Sequence, residues 1–194
     1  MRGAEIPDRT VHIGVLTDMG GPNADSTREG SAVAAKLAAD DAAKFMPGIT
    51  VSVIGADHQN KADVASSIAR DWIANQAINV ITDIPASSAG LAVAEVARGQ
   101  PRTVFVASGT GASDLTGKRC SPNTLHWTYD SYTNGSVVAR ALSEEGAKTW
   151  FSSPPTTHWA KPCSATRPAS SRHSGARRQH YLGTSPRLVD SHVR

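Results

Sequence analysis

No long hydrophobic run occurs in this sequence. Its longest apolar stretches, "VSVIGA" and "TVFVA", are strand-sized and far short of the roughly 20 residues a bilayer-spanning helix needs. The opening "MRGAEIPDRTVHIGV" supplies an arginine but no apolar stretch before the first strand, so no secretory signal is expected in it. Only two cysteines are present, Cys120 and Cys163, too few to fix a redox compartment or a disulfide framework. Clustered positive charge is also missing from most of the chain: residues 151–194 carry +6 and residues 1–150 carry −3, which together give the formal +3. A mildly acidic body without lysine clusters offers no footprint for a phosphate backbone, so nucleic acid is not an expected partner.

Catalytic signatures are absent as well. No H-E-x-x-H, G-x-S-x-G or Walker A pattern occurs, and His12, His58 and His126 fall on separate segments without ligand spacing. No catalytic residue, metal ligand or cofactor is assigned. His12 reads as a half-exposed strand residue, and Asp57 with His58 as loop formers at a strand end.

From Val11 to Phe151, short β-branched runs alternate with longer alanine-rich segments of helical spacing, which argues for an α/β fold with a doubly wound parallel sheet. Strands are expected at Val11–Asp18, Ile49–Asp57, "NVITDIP", Thr103–Ser108 and Leu125–Tyr129, with a sixth beginning at "AKTWF". Helices are expected from about Thr27 to Phe45, then with an apolar stripe Ala65, Ile68, Ala69, Trp72 and Ile73, then from about Ser88 with Gly99 as C-cap. A last helix, "NGSVVARALSEEG", would take Asn134 as N-cap and end at Gly146.

Ligands of open parallel sheets sit at the carboxyl ends of the strands, where loops and helix N-termini converge. Two such loops carry suitable chemistry. In "PASSAG", Ser87 and Ser88 stand where a helix begins, and their hydroxyls with free backbone N–H groups could receive a carboxylate; the alternative is a plain N-cap serine. In "ASGTGASDLTG", Ser108 and Thr110 offer hydroxyls while Gly109 and Gly111 allow close backbone approach. The latter loop also holds a partial G-x-G-x-x-G with Asp114 in place of the third glycine, which leaves a nucleotide-binding enzyme as an alternative.

The segments "IGVLTDMGGPNADS", "GADHQNKADVASSIARDWI", "ASSAGLAVAEVAR", "VASGTGASDLTGKRCSPNTLHWTYDSY" and "NGSVVARAL" together resemble the N-terminal part of an ABC-transporter substrate-binding protein of the branched-chain amino acid (leucine-binding) type, with the periplasmic-binding-protein type I fold. The resemblance implies a two-lobed binder outside the cytoplasm, periplasmic or extracellular, that closes on a small ligand such as an amino acid or amide and hands it to a membrane ABC permease. It places Ser87, Ser88, Ser108, Gly109, Thr110 and Gly111 on the ligand cleft and Tyr129 near the crossover. Gly20 and Asn23 stand where that family's first loop carries a serine and an aromatic, so no contact is assigned there. A ligand-sensing regulatory domain of the same fold is a further alternative.

The character of the chain changes after Phe151, where Ser, Pro, Thr and Arg take over. One permitted codon choice for this stretch, read in the displaced frame, spells LITADYALGEALQRDTASVVKA, a strand end, a loop and a helix of the kind the resemblance expects. The expected organisation is a disordered start over 1–10, a first lobe over 11–130, the beginning of a second lobe over 131–151, and a frameshifted, disordered tail over 152–194. On that view the chain is truncated within its second lobe, and Cys120 either lost a partner beyond the break or is a lone buried thiol.

Overall fold

The computed structural model describes residues 10–146. Five strands and four α-helices alternate: β1 (Thr10–Thr17), α1 (Arg28–Phe45), β2 (Thr50–Asp57), α2 (Ala62–Asn75), β3 (Val80–Asp83), α3 (Ser87–Arg98), β4 (Val104–Ala107), β5 (Thr124–His126) and α4 (Ser131–Glu144). The strands pair in parallel in the order β2-β1-β3-β4-β5. The α/β, doubly wound character read from the alternation is what the chain adopts. The order departs from β1 in both directions, so a switch point opens between β1 and β3 at their carboxyl ends.

Period-two alternation sorts the strand residues onto two faces. Gly14, Ile81 and Phe105 lie in register on one face. There the α2 and α3 stripes, including Ala65, Ala69, Trp72, Val93 and Ala97, close the main core. Phe105 and Ile81 are fully buried, and each removes enough apolar surface from water to contribute about 1.5–3 kcal/mol. Trp72, expected in the core, lies there with its ring over Gly14, where any Cβ would enter the indole. The opposite face carries Val15, Gly55, Thr82 and Val106 in register, and α1 covers only its β1–β2 side, with Ala32 resting on Gly55. No residue of α1 is buried, and Val33 and Leu37 are exposed.

Three sequence expectations need correction. The last helix begins at Ser131, four residues earlier than an Asn134 cap would place it, and Asn134 lies inside it. Its N-cap is Asp130, whose Oδ1 accepts the Thr133 N–H at 2.6 Å and satisfies one of the orphan donors of the first turn. Gly146 does follow the helix, at φ +99. The fifth strand is also shorter than expected, ending at His126, because Trp127 to Ser131 leaves the ladder and runs along the loop after β4. Gly99 is the α3 C-cap as expected. Cys120 is exposed, not a buried thiol. The sixth strand and everything from 147 onward lie outside the described residues, as does the segment 1–9.

Gly30 sits in the first turns of α1 with nothing within 4 Å of a built Cβ. Gly30→Ala is therefore expected to stabilise the fold by about 0.5–1 kcal/mol, read as a rise in the urea midpoint without a change in slope.

Candidate functional site

The carboxyl ends of β1, β3 and β4 bring the two sequence-selected loops together. β3 ends in a sharp turn: Asp83 and Ile84 both hold positive φ, +79 and +58, a conformation that costs each roughly 1–3 kcal/mol and is rare for a β-branched residue. The turn sends the chain into α3, whose first two residues are Ser87 and Ser88. Neither serine caps the helix; Ala86 is the N-cap and no side chain accepts from the first turn. Ser88 is half-buried, whereas Ser87 is 7% exposed and its Oγ has no hydrogen-bond partner. The orphan N–H groups of the first turn and the positive end of the helix dipole thus converge where an anion would be favoured.

The second loop is pinned against the first. Gly109 N–H donates to the Asp83 carbonyl at 3.0 Å, and a Cβ at Gly109 would lie 3.0 Å from Asp83 Oδ1. Thr110, read from sequence as a hydroxyl for a ligand, is fully buried: its Oγ1 donates to the Ile84 carbonyl at 2.6 Å, and the side chain fills the space left by Gly90 of α3. It is a strut between the loops. Ser108 is exposed, with its Oγ 3.3 Å from Thr82 Oγ1. Gly111 is buried and its carbonyl accepts the Ser131 N–H at 3.0 Å. With Trp127 N–H on the Ala107 carbonyl at 3.0 Å, that bond holds segment 127–131 alongside the loop. Tyr129 lies in this segment and is exposed, as are Trp127 and Tyr132. Of the sequence-selected residues, Ser88, Ser108, Gly109 and Tyr129 are therefore accessible, whereas Ser87, Thr110 and Gly111 are buried.

Sequence reasoning missed the polar layer that shapes this end of the sheet. Asp18 is fully buried; its Oδ1 accepts Gly21 N–H at 2.8 Å and its Oδ2 accepts Asn23 N–H at 3.0 Å, which fixes the loop after β1. Asp57 Oδ1 accepts the Met19 and Gln59 N–H groups at 3.1 and 2.7 Å, so it is a loop former as expected. His58, also read as a loop former, is completely buried. Burial pushes its imidazole below the ordinary 6.5, against the opposing pull of the Asp18, Asp57 and Asp83 carboxylates. Because the folded-state value lies below the unfolded one, the stabilising contribution is complete above about pH 6.5 and is lost as pH falls below it. Denaturation of His58→Asn, compared with the parent between pH 7.5 and 5, is expected to show a shallower fall in stability; identical slopes would contradict this.

Among the described residues, no helix is long and apolar enough to cross a membrane, and no group of three or more His, Cys, Asp or Glu could hold a metal. The periplasmic binding protein family model matches residues 10–176. The chain belongs to the periplasmic binding protein family. A solved periplasmic binding protein from Burkholderia mallei is 33% identical with a TM-score of 0.74, over 81% of this chain and 42% of that one. A branched-chain amino acid ABC transporter periplasmic ligand-binding protein from Burkholderia xenovorans is 30% identical with a TM-score of 0.70, over 84% and 42%. A solute binding protein of an ABC transporter from Rhodopseudomonas palustris, in complex with 3,4-dihydroxybenzoic acid, shares the fold at 21% identity and a TM-score of 0.69, over 81% and 42%. No sequence match is found among curated proteins. This periplasmic binding protein chain thus spans about two-fifths of the length of these structures, and it matches a solute-binding family, not an enzyme class.

Proposed function

We propose that this chain carries the first lobe of the solute-binding component of an ABC importer, and that the α3 N-terminus with the loop after β4 forms its wall for the ligand's carboxylate. The ligand class is a branched-chain or related amino acid, or its amide, delivered to a membrane permease on the outer side of the cytoplasmic membrane. The observation carrying this is the uncapped start of α3, with Ser87 and Ser88 in its first turn, facing a glycine-bearing loop across one narrow junction. An aromatic acid is the second reading, supported by the exposed Trp127, Tyr129 and Tyr132 beside that loop and by the dihydroxybenzoate bound to the R. palustris relative.

A clamp gains affinity by enclosing its ligand between two walls, and residues 10–146 supply one. Calorimetry of the 194-residue chain with isoleucine and with 3,4-dihydroxybenzoate is expected to give at best millimolar affinity, about −4 kcal/mol. Micromolar binding would overturn the one-wall account. Retention on a nucleotide-mimicking dye resin would favour the nucleotide-binding alternative instead. We also propose that residues from about Ser152 onward are a displaced reading frame. The family match runs across that point to residue 176, so the deciding measurement is the DNA sequence across codon 151: a family-like displaced frame supports the proposal, and its absence refutes it.

A further inference from the structure

The loop after β4 is clamped from two sides, and the clamps meet in Thr110. On the β3 side, Gly109 N–H donates to the Asp83 carbonyl at 3.0 Å and Thr110 Oγ1 donates to the Ile84 carbonyl at 2.6 Å. On the β5 side, His126 Nε2 lies 2.7 Å from the Thr110 carbonyl oxygen. His126 is the last residue of β5 and pairs with Ala107, so its side chain leaves the sheet on the same face as Ala107 and Phe105, the face of the main core.

A carbonyl oxygen only accepts, so this contact requires the proton on Nε2 and fixes the neutral ring in that tautomer. It also fixes a peptide plane. The Thr110–Gly111 peptide is trans, so its N–H points opposite to its C=O. The strand order β3-β4-β5 puts His126 on one side of the loop and the β3–α3 turn on the other. With the carbonyl drawn to His126, the Gly111 N–H is turned away from β5, toward the side on which α3 begins. Gly111 is buried, its carbonyl accepts the Ser131 N–H at 3.0 Å, and among the described residues no acceptor meets its own N–H. Backbone donors of buried residues are nearly always paired, so a free one at the edge of a candidate site is suited to an acceptor that a ligand brings.

We propose that His126 is a positioning residue of the ligand wall: by holding the Thr110 carbonyl, it presents the Gly111 N–H to the ligand's carboxylate. This role rests on the carboxylate reading of the wall and adds a donor to it. The uncapped first turn of α3 offers N–H groups from one side, and Gly111 offers one from the other. His126 acts through the peptide, with Nε2 committed to Thr110. Without it the Thr110–Gly111 plane is free to rotate, because the other bonds hold the Thr110 side chain and the Gly111 carbonyl, and neither fixes the plane between them.

Two substitutions in the 194-residue chain test this. His126→Phe keeps a ring and removes the donor, and His126→Gln returns a donor at similar reach. Without ligand, His126→Phe is expected to shift the Thr110 carbonyl carbon and the Gly111 amide resonances, and His126→Gln to bring both back toward the parent. With isoleucine as the probe, His126→Phe should weaken binding about five-fold, the worth of one hydrogen bond, and abolish the saturable shift at Gly111 while leaving that at Ser88; His126→Gln should recover both. A merely structural role would lower the urea midpoint of His126→Phe and leave the Gly111 response to isoleucine intact, which overturns the proposal. Should His126→Phe fail to fold, the unmodified chain decides: above the range in which imidazoles titrate, the ring nitrogen resonances are expected to report the Nε2–H tautomer, and the Nδ1–H tautomer overturns the proposal. A parent chain that does not respond to isoleucine at either loop would overturn the carboxylate reading and this role with it, whereas a parent-like response of His126→Phe would overturn this role alone.

Discussion

Gly14→Val is expected to prevent the chain from folding to a stable sheet. Gly14 lies in β1, an inner strand, in register with Ile54 and Ile81, and a Cβ there would penetrate the Trp72 ring, itself 5% exposed in the α2–α3 core. Trp72 cannot retreat without lifting α2 from the sheet. Overpacking of this kind costs about 1–3 kcal/mol for ordinary insertions and more where an indole must move, against a total stability of about 5–15 kcal/mol. Gly14→Ala should show a smaller loss of the same sign in urea denaturation. A parent-like midpoint for the valine variant would mean that Trp72 does not pack on β1.

Gly90→Val should have the second-largest effect, and it acts on the candidate site. Gly90 is the fourth residue of α3, and a Cβ there would enter the Thr110 side chain, which is locked by its bond to the Ile84 carbonyl. The valine must push the loop after β4 away from α3, at a cost of about 1–3 kcal/mol, and widen the junction between Gly109 and Ser87. The expected result is lowered stability together with loss of any ligand-induced shift at both loops. Thr110→Val, which keeps the volume and removes the hydroxyl, should lose only about 1 kcal/mol from the missing bond. If Gly90→Val left the loop resonances unchanged, the two halves of the site would not be coupled through Thr110.

The first four strands were legible to within a residue or two because β-branched runs are bounded by Gly, Pro or Asp, and the candidate loops followed from where an open parallel sheet exposes its strand ends. What stayed hidden was decided by tertiary contact. Thr110 looks like a ligand hydroxyl, and only the packing of Gly90 behind it reveals a strut. His58 in "DHQN" reads as a loop former, because nothing local announces its complete burial. The left-handed pair Asp83 and Ile84 carries no glycine to betray it. Asn134 and Asp130 are both good caps, and the hydrogen bond to Thr133 selected the earlier one. The openness of α1, with Val33 and Leu37 exposed, likewise depends on what packs against it and not on its own pattern.

The central claim is that the start of α3 and the loop after β4 receive a carboxylate, and amide chemical shifts of the 194-residue chain test it most directly. Titration with millimolar isoleucine should produce saturable shifts at Ser87, Ser88, Gly109 and Gly111, and isoleucinol, which keeps the side chain and the amine but lacks the carboxylate, should not. Saturable shifts confined to other loops, or equal responses to the acid and the alcohol, would contradict the account.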